Sequence, residues 1–369
     1  MLRASERVGL GLLPLLLIPG VFIVTRPLHY FGTDFNTVYW PDARRLVAGL
    51  SPYDLPRWHA LHYLPPAAFA FAPLTVLPQG TAAALFTTIT ILSIPAALWL
   101  VGVRDWRIYG IVFLWQPVII GYETANAELP LVAAVAALWR FRDRPAVAGA
   151  LLAALVSVKP VLFPFGVWML ATRRVRALAW GLGIFAVANT LGWAIIGFDQ
   201  LGVFTSELSR FGHTFERESY SLIGLAVGAG AGQLLADAAG ALAAGGLIAI
   251  GLRSRGPDRE RIVFSACAGA TIFVSPVVEA HYAAVLIVPL GLAVPRLRPV
   301  WALPMLLALT PAVSPSSWQH ILAFAVTVAV VGVSMRARSR GESHVDSIGE
   351  PRLVSDGRRW RRYGRAPAQ

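Results

Sequence analysis

RFRDRPAVAGALLAALVSVKPVLFPFGVWMLATRRVR, residues 140–176, decides the fold. Arg140, Arg142 and Arg144 open this stretch, and Arg173, Arg174 and Arg176 close it. Two apolar segments, 146–158 and 161–172, run between them and are parted by Lys159-Pro160. Apolar runs with arginine clusters at their outer ends read as two helices that enter and leave a bilayer, the arginines on the cytoplasmic side. Lys159-Pro160 is then a turn at the opposite face.

The same punctuation repeats outward in both directions. Arg104/Arg107, Arg253/Arg255/Arg259/Arg261 and Arg296/Arg298 mark every second connection, and the connections between them hold carboxylates, histidines and tryptophans. The pattern predicts an all-α polytopic membrane protein with about twelve spans, near 8–25, 81–101, 108–120, 127–139, 146–158, 161–172, 177–197, 233–251, 262–275, 282–295, 299–311 and 317–335. Residues 66–77, interrupted by Pro73, read as a short or re-entrant piece. An even count puts both termini in the cytoplasm of an inner (plasma) membrane protein. Segment 8–25 has an arginine-flanked start but no small-x-small cleavage site after it, so it is read as a retained span. Residues 1–335 then form one membrane domain with a long first outer loop, 26–65. Residues 336–369, rich in Arg, Ser, Gly and Pro, read as a disordered cytoplasmic tail.

Composition agrees. Hydrophobic residues make up 56% and charged residues 14%, which excludes an ordinary soluble domain. The net charge of +12 belongs to the cytoplasmic segments. On this topology only Arg26, Arg44, Arg45, Arg57, Arg210 and Arg217 lie outside, so anionic lipid rather than nucleic acid accounts for the charge. The single cysteine, Cys267, sits in an apolar segment and forms no internal disulfide. Several spans hold roughly 13 apolar residues where about 20 cross a bilayer. Either their ends extend into polar residues, or they surround a water-accessible cavity where irregular backbone is tolerated. Pro117, Pro130, Pro160, Pro164, Pro276 and Pro304 favour a cavity.

Candidate chemistry gathers on the outer side. The first outer loop is too apolar for a floppy linker, and Asp42–Ala48 reads as a short amphipathic helix with Leu46 and Val47 facing the membrane or core and Arg44 and Arg45 pointing elsewhere. Asp34, beside Phe35 and Tyr39, reads either as a partly desolvated base or as a helix N-cap. Glu123 and Glu128 flank Asn126 at the mouth of a span. Lys159 is the one lysine in a chain that otherwise uses arginine. It reads as a phosphate ligand or as a snorkelling or glutamate-paired cation. His281 reads as a phosphate ligand or a satisfied interfacial histidine. Arg210 and His213 are further cationic candidates, and Tyr39, Trp40 and Trp58 could stack on sugar rings. No zinc-ligand spacing, Asp-x-Asp motif, Gly-rich phosphate loop or Gly-x-Ser-x-Gly elbow occurs.

These residues resemble glycosyltransferase family 87. The resemblance runs through Thr33-Asp34-Phe35, Tyr39-Trp40, Gly49, Pro52-Tyr53, Tyr63-Leu64-Pro65-Pro66 and Phe71-Ala72-Pro73-Leu74, then Asn126, Lys159-Pro160, Ser275-Pro276 and His281-Tyr282. It covers about residues 30–290. Thr124–Glu128 and Glu279-Ala280 depart from the family pattern. The resemblance implies a GT-C-type bundle and a polyprenyl-phosphate-sugar donor, with mannose the commonest sugar and arabinofuranose an alternative. It implies a cell-envelope glycolipid or glycan acceptor and a catalytic aspartate that falls on Asp34. The expected reaction is a single inverting displacement that uses no metal cofactor. Lys159 and His281 would face the phosphate, with Arg210 or His213 in reserve. Tyr39, Trp40, Asn126 and Glu128 would face sugar or acceptor. A multispan transporter and a non-catalytic scaffold are the readings from other classes.

Overall fold

The computed structural model describes residues 32–54, 62–215, 219–310 and 317–337. The expected first span at 8–25, Trp58 and the tail after residue 337 lie outside them. Every regular element among the described residues is helical, and none is a strand.

Four helices are long and apolar enough to cross a membrane: Gln79–Leu100, Val175–Ile196, Gln233–Arg253 and Trp318–Arg336. They coincide with the expected spans at 81–101, 177–197, 233–251 and 317–335. The chain is therefore a multi-pass membrane protein, although the count of twelve full spans is not reproduced among the described residues. Helices Gln116–Glu123 and Glu128–Arg140 form a broken pair bent by 119°. The expected span at 108–120 is itself divided, between Trp106–Val112 and the helix that starts at Gln116. Proline explains much of the division, because it removes an amide donor and is accommodated at helix starts. Pro117, Pro145, Pro160, Pro164 and Pro299 each stand at the beginning of an element. Pro65–Phe71, continued by a 3-10 turn at Ala72–Val76, is the short piece expected at 66–77.

The two classes of connection separate in space. Asp105 accepts the amide of Leu297 at 2.9 Å, which ties the 104–107 connection to the 296–298 connection. Arg174 pairs with Asp143 and Glu260, each at 2.9 Å, and joins its own connection to two other arginine-bearing ones. Several arginines close helix ends by donating to free carbonyls: Arg104 to Trp99, Arg142 to Trp139 and Arg259 to Ala171. Arg261, buried, does the same for Ser334 and Ala337. These cations complement the negative ends of the helices as well as marking a face.

Residues 32–54, within the expected first outer loop, are folded, as its aromatic content predicts. Phe35, Tyr39, Asp42 and Ala43 fall on one buried stripe of the continuous turn formed by Phe35–Tyr39 and Trp40–Val47. Of the two residues expected to face membrane or core, Leu46 packs against the core and Val47 is 60% exposed. The helix begins earlier than expected, and the 3.6-residue period set by Phe35 carries Asp42, not Val47, to the inside. Tyr53 anchors the loop by stacking on Trp193, with ring centroids 5.4 Å apart. Its hydroxyl donates to the carbonyl of Tyr63 at 3.0 Å. Helices Pro145–Val158 and Val175–Ile196 pack at backbone distance through Gly149, where a Cβ would stand 2.6 Å from the Ala177 carbonyl oxygen.

Candidate active site

The break between helices Gln116–Glu123 and Glu128–Arg140 builds the site. The first helix ends with Ala125 in the left-handed conformation (φ 50), and the Asn126 amide returns to the Gly121 carbonyl at 2.8 Å. The start of the outer loop docks against this break. Gly32 and Asp34 donate their amides to the carbonyls of Glu123 and Thr124 at 2.8 and 3.0 Å. Asp34 is thereby held by its own backbone.

Asn126 completes the arrangement. Its Oδ1 accepts the Glu128 amide at 2.7 Å, so its Nδ2 is turned toward Asp34 and donates to Oδ2 at 2.6 Å. Asp34 precedes the Phe35–Tyr39 turn but makes no capping hydrogen bond. The carboxylate faces a cavity of about 450 Å³ instead. Burial raises its pKa, while hydrogen bonds from Asn126 and Thr124 and the charge of Lys159 pull the other way. A carboxyl group whose pKa is pushed upward and whose orientation is fixed by donors is suited to accept a proton. Replacing Asn126 with Ala removes one of the lowering contributions, so the Asp34 pKa rises and the acidic limb of the pH–rate profile moves to higher pH. The rate at neutral pH drops about 100-fold as the carboxylate loses its orientation. A profile that keeps its position would mean that Asn126 does not hold Asp34.

The structure redistributes the other candidates. Lys159 lines the cavity, but its ammonium pairs with Glu128 at 2.5 Å and lies 3.3 Å from the centroid of the Tyr282 ring. Both members of the pair are almost wholly buried. Glu128 is thus a counterion and does not line the cavity. His281 is buried behind the wall, its Nε2 3.2 Å from Glu279, and the cavity is lined at this point by Glu279 and Tyr282. Glu279, about half exposed toward the cavity, has its pKa raised to about 7 by desolvation, with the charges of Asp34 and Glu128 adding and that of Lys159 subtracting.

Arg210 and His213 are not brought to the cavity. They stand on helix Gln200–Phe215, where Arg210 pairs with Glu207 and His213 is exposed. The opposite stripe of that helix, Leu208, Phe211, Gly212 and Phe215, forms an apolar wall of the cavity. Tyr39 lines the cavity, but Phe71 stacks on its ring at 4.6 Å between centroids and its hydroxyl meets those of Tyr63 and the Ala127 amide. It is a framework residue with no free ring face to offer a sugar. Trp40 does not line the cavity, and Arg44 lies over its ring.

Sequence reasoning missed His62, Tyr63, Phe211 and Glu279 as wall residues. The Leu208, Phe211, Gly212, Phe215 spacing was a readable signal, since it traces one face of a helix. His62 packs on Phe211 with ring centroids 4.0 Å apart, and burial lowers its pKa to about 4, leaving it neutral. Among the described residues no group of three His, Cys, Asp or Glu side chains is placed to hold a metal ion.

The model of glycosyltransferase family 87 matches residues 61–276. The matched stretch contains Asn126, Glu128 and Lys159 but neither Asp34 nor His281. No curated protein and no solved structure matches the chain.

Proposed function

The chain belongs to glycosyltransferase family 87, and on that premise we propose that it moves mannose from a polyprenyl-phosphate donor to a cell-envelope glycolipid or glycan, with Asp34 as the base. It is a membrane glycosyltransferase; the multispan transporter is not favoured. One observation carries the finer reading: the Asp34 carboxylate, oriented by Asn126, faces a cavity that the apolar stripe of helix Gln200–Phe215 also lines. A polar reaction centre beside an apolar wall fits a substrate with a sugar at one end and a prenyl chain at the other.

In this reading Asp34 takes the proton of the acceptor hydroxyl. The hydroxyl oxygen attacks the anomeric carbon from the face opposite the phosphate. The bond from that carbon to the phosphate oxygen breaks, and polyprenyl phosphate leaves with the electron pair. The configuration inverts. Lys159 is the cation nearest the leaving phosphate, and its pairing with Glu128 fixes its position. His281 acts on the site only through Glu279. The leaving group is already a phosphate, so stabilisation by fixed cations and dipoles suffices and no divalent ion is required. The chemistry stands on the extracytoplasmic face, with both termini in the cytoplasm.

Membranes containing the protein, given radiolabelled polyprenyl-phosphate-mannose, are expected to form a labelled lipid or glycan both with and without EDTA. Labelling only from polyprenyl-phosphate-arabinofuranose would replace mannose as the sugar. Loss of labelling in EDTA would overturn the metal-independent step. No labelling from either donor would overturn the polyprenyl-phosphate assignment.

A further inference from the structure

A second cavity lies at the other end of helix Pro145–Val158. Val158 borders the Asp34 cavity, whereas Pro145 borders a cavity of about 780 Å³ among the arginine-bearing connections. Fourteen helical residues separate the two, roughly 20 Å. Five arginines and two carboxylates line it. The carboxylates are spent on Arg142 and Arg174: Glu260 pairs with both, and Asp143 with Arg174. Arg259 donates one N–H to the Ala171 carbonyl. Arg173 and Arg176 are exposed, and among the described residues their side chains have no ion-pair or hydrogen-bond partner.

Two further observations point to a ligand. Arg173 holds a left-handed backbone (φ 60) at the end of helix Pro164–Ala171, where glycine is the usual occupant. A cationic side chain is therefore kept at a position that local conformation disfavours. At Arg176 the cavity meets the exposed apolar face of the membrane helix Val175–Ile196. Trp180, Ile184, Val187 and Leu191 lie on that face, and Trp180, Val187 and Leu191 are more than half exposed. A cationic cup beside an exposed apolar face of a membrane helix matches a molecule with a phosphate head and an acyl chain. Basic pockets between membrane helices are suited to anionic lipid head groups.

We propose that this cup and helix face together bind one anionic phospholipid, its phosphate on Arg173 and Arg176 and an acyl chain along Trp180, Val187 and Leu191. The site is separate from the Asp34 cavity and does not depend on the reaction assigned to it.

Native mass spectrometry of the full-length protein in detergent, titrated with phosphatidylglycerol or phosphatidylcholine, tests this. The wild type is expected to retain one phosphatidylglycerol in preference to phosphatidylcholine. Arg173→Gln/Arg176→Gln is expected to weaken that binding about 30-fold, from about 1 kcal/mol for each arginine near the surface. Arg296→Gln/Arg298→Gln removes equal charge from exposed sites outside the cavity and should leave binding unchanged. Val187→Asn, which makes the exposed helix face polar where the acyl chain would lie, is expected to reduce retention severalfold without removing charge. Equal losses in the two arginine pairs, or a wild type that does not discriminate between the lipids, would overturn the proposal. Displacement by glycerol 3-phosphate at the same concentration would overturn the acyl-chain half of it.

Discussion

Asp34→Asn is expected to lower sugar transfer by about 10²–10⁴-fold, the usual contribution of a positioned general base. The substitution keeps the side chain's shape but removes its ability to take a proton. Among the described residues Asp34 has no ion-pair partner whose loss would confuse the result, since the nearby cation, Lys159, is already matched by Glu128. The loop is held by the backbone bonds of Gly32 and Asp34, which the substitution spares. The variant should therefore insert and elute from size exclusion as the wild type does. Transfer at the wild-type rate from polyprenyl-phosphate-mannose would remove Asp34 from the mechanism. An inactive variant that also aggregates would be set beside Asp34→Glu, which retains the carboxylate and should recover part of the rate.

The Glu128–Lys159 pair carries the second large effect, this time on stability. Removing one partner of a buried ion pair leaves a bare charge and typically costs about 3–5 kcal/mol. Glu128→Gln is therefore expected to lower the unfolding temperature in detergent markedly, and Lys159→Met to do the same. The double variant Glu128→Gln/Lys159→Met removes both charges, and most of the stability should return, because apolar or neutral replacements of buried pairs are often close to neutral. Its activity then separates two roles for Lys159. A stable, inactive double variant supports a cation that faces the phosphate. A stable, active one would make the pair purely architectural and move phosphate stabilisation to another group.

Glu128 and Lys159 also show how far a linear reading reaches. Their composition and position mark both as unusual polar residues at membrane depth. Their sequence separation of 31 residues gives no sign that they touch. Asp34 and Asn126 are 92 apart, and each was singled out alone. His281 was legible as an unusual residue, yet the 3-10 turn at Ala280–Leu286 carries its side chain behind the wall and leaves Glu279 and Tyr282 in front. Arg210 and His213 illustrate the same point on a helix, because the face that meets the cavity belongs to Phe211 and Phe215.

By itself the sequence determined that the chain is a helical membrane protein, that its connections alternate in character, and that the first outer loop is folded. Hydrophobic runs, arginine clusters and proline positions act locally, through the cost of exposing a backbone or a charge to lipid, so they can be read along the chain. Only the tertiary structure decided which runs cross as long helices and which break into short ones. It alone decided that Lys159 is balanced by Glu128, that Asn126 aims at Asp34, and that Arg173 and Arg176, without partners among the described residues, stand beside an exposed apolar helix face. These depend on contacts between distant segments, because a charge's chemistry is set by what surrounds it.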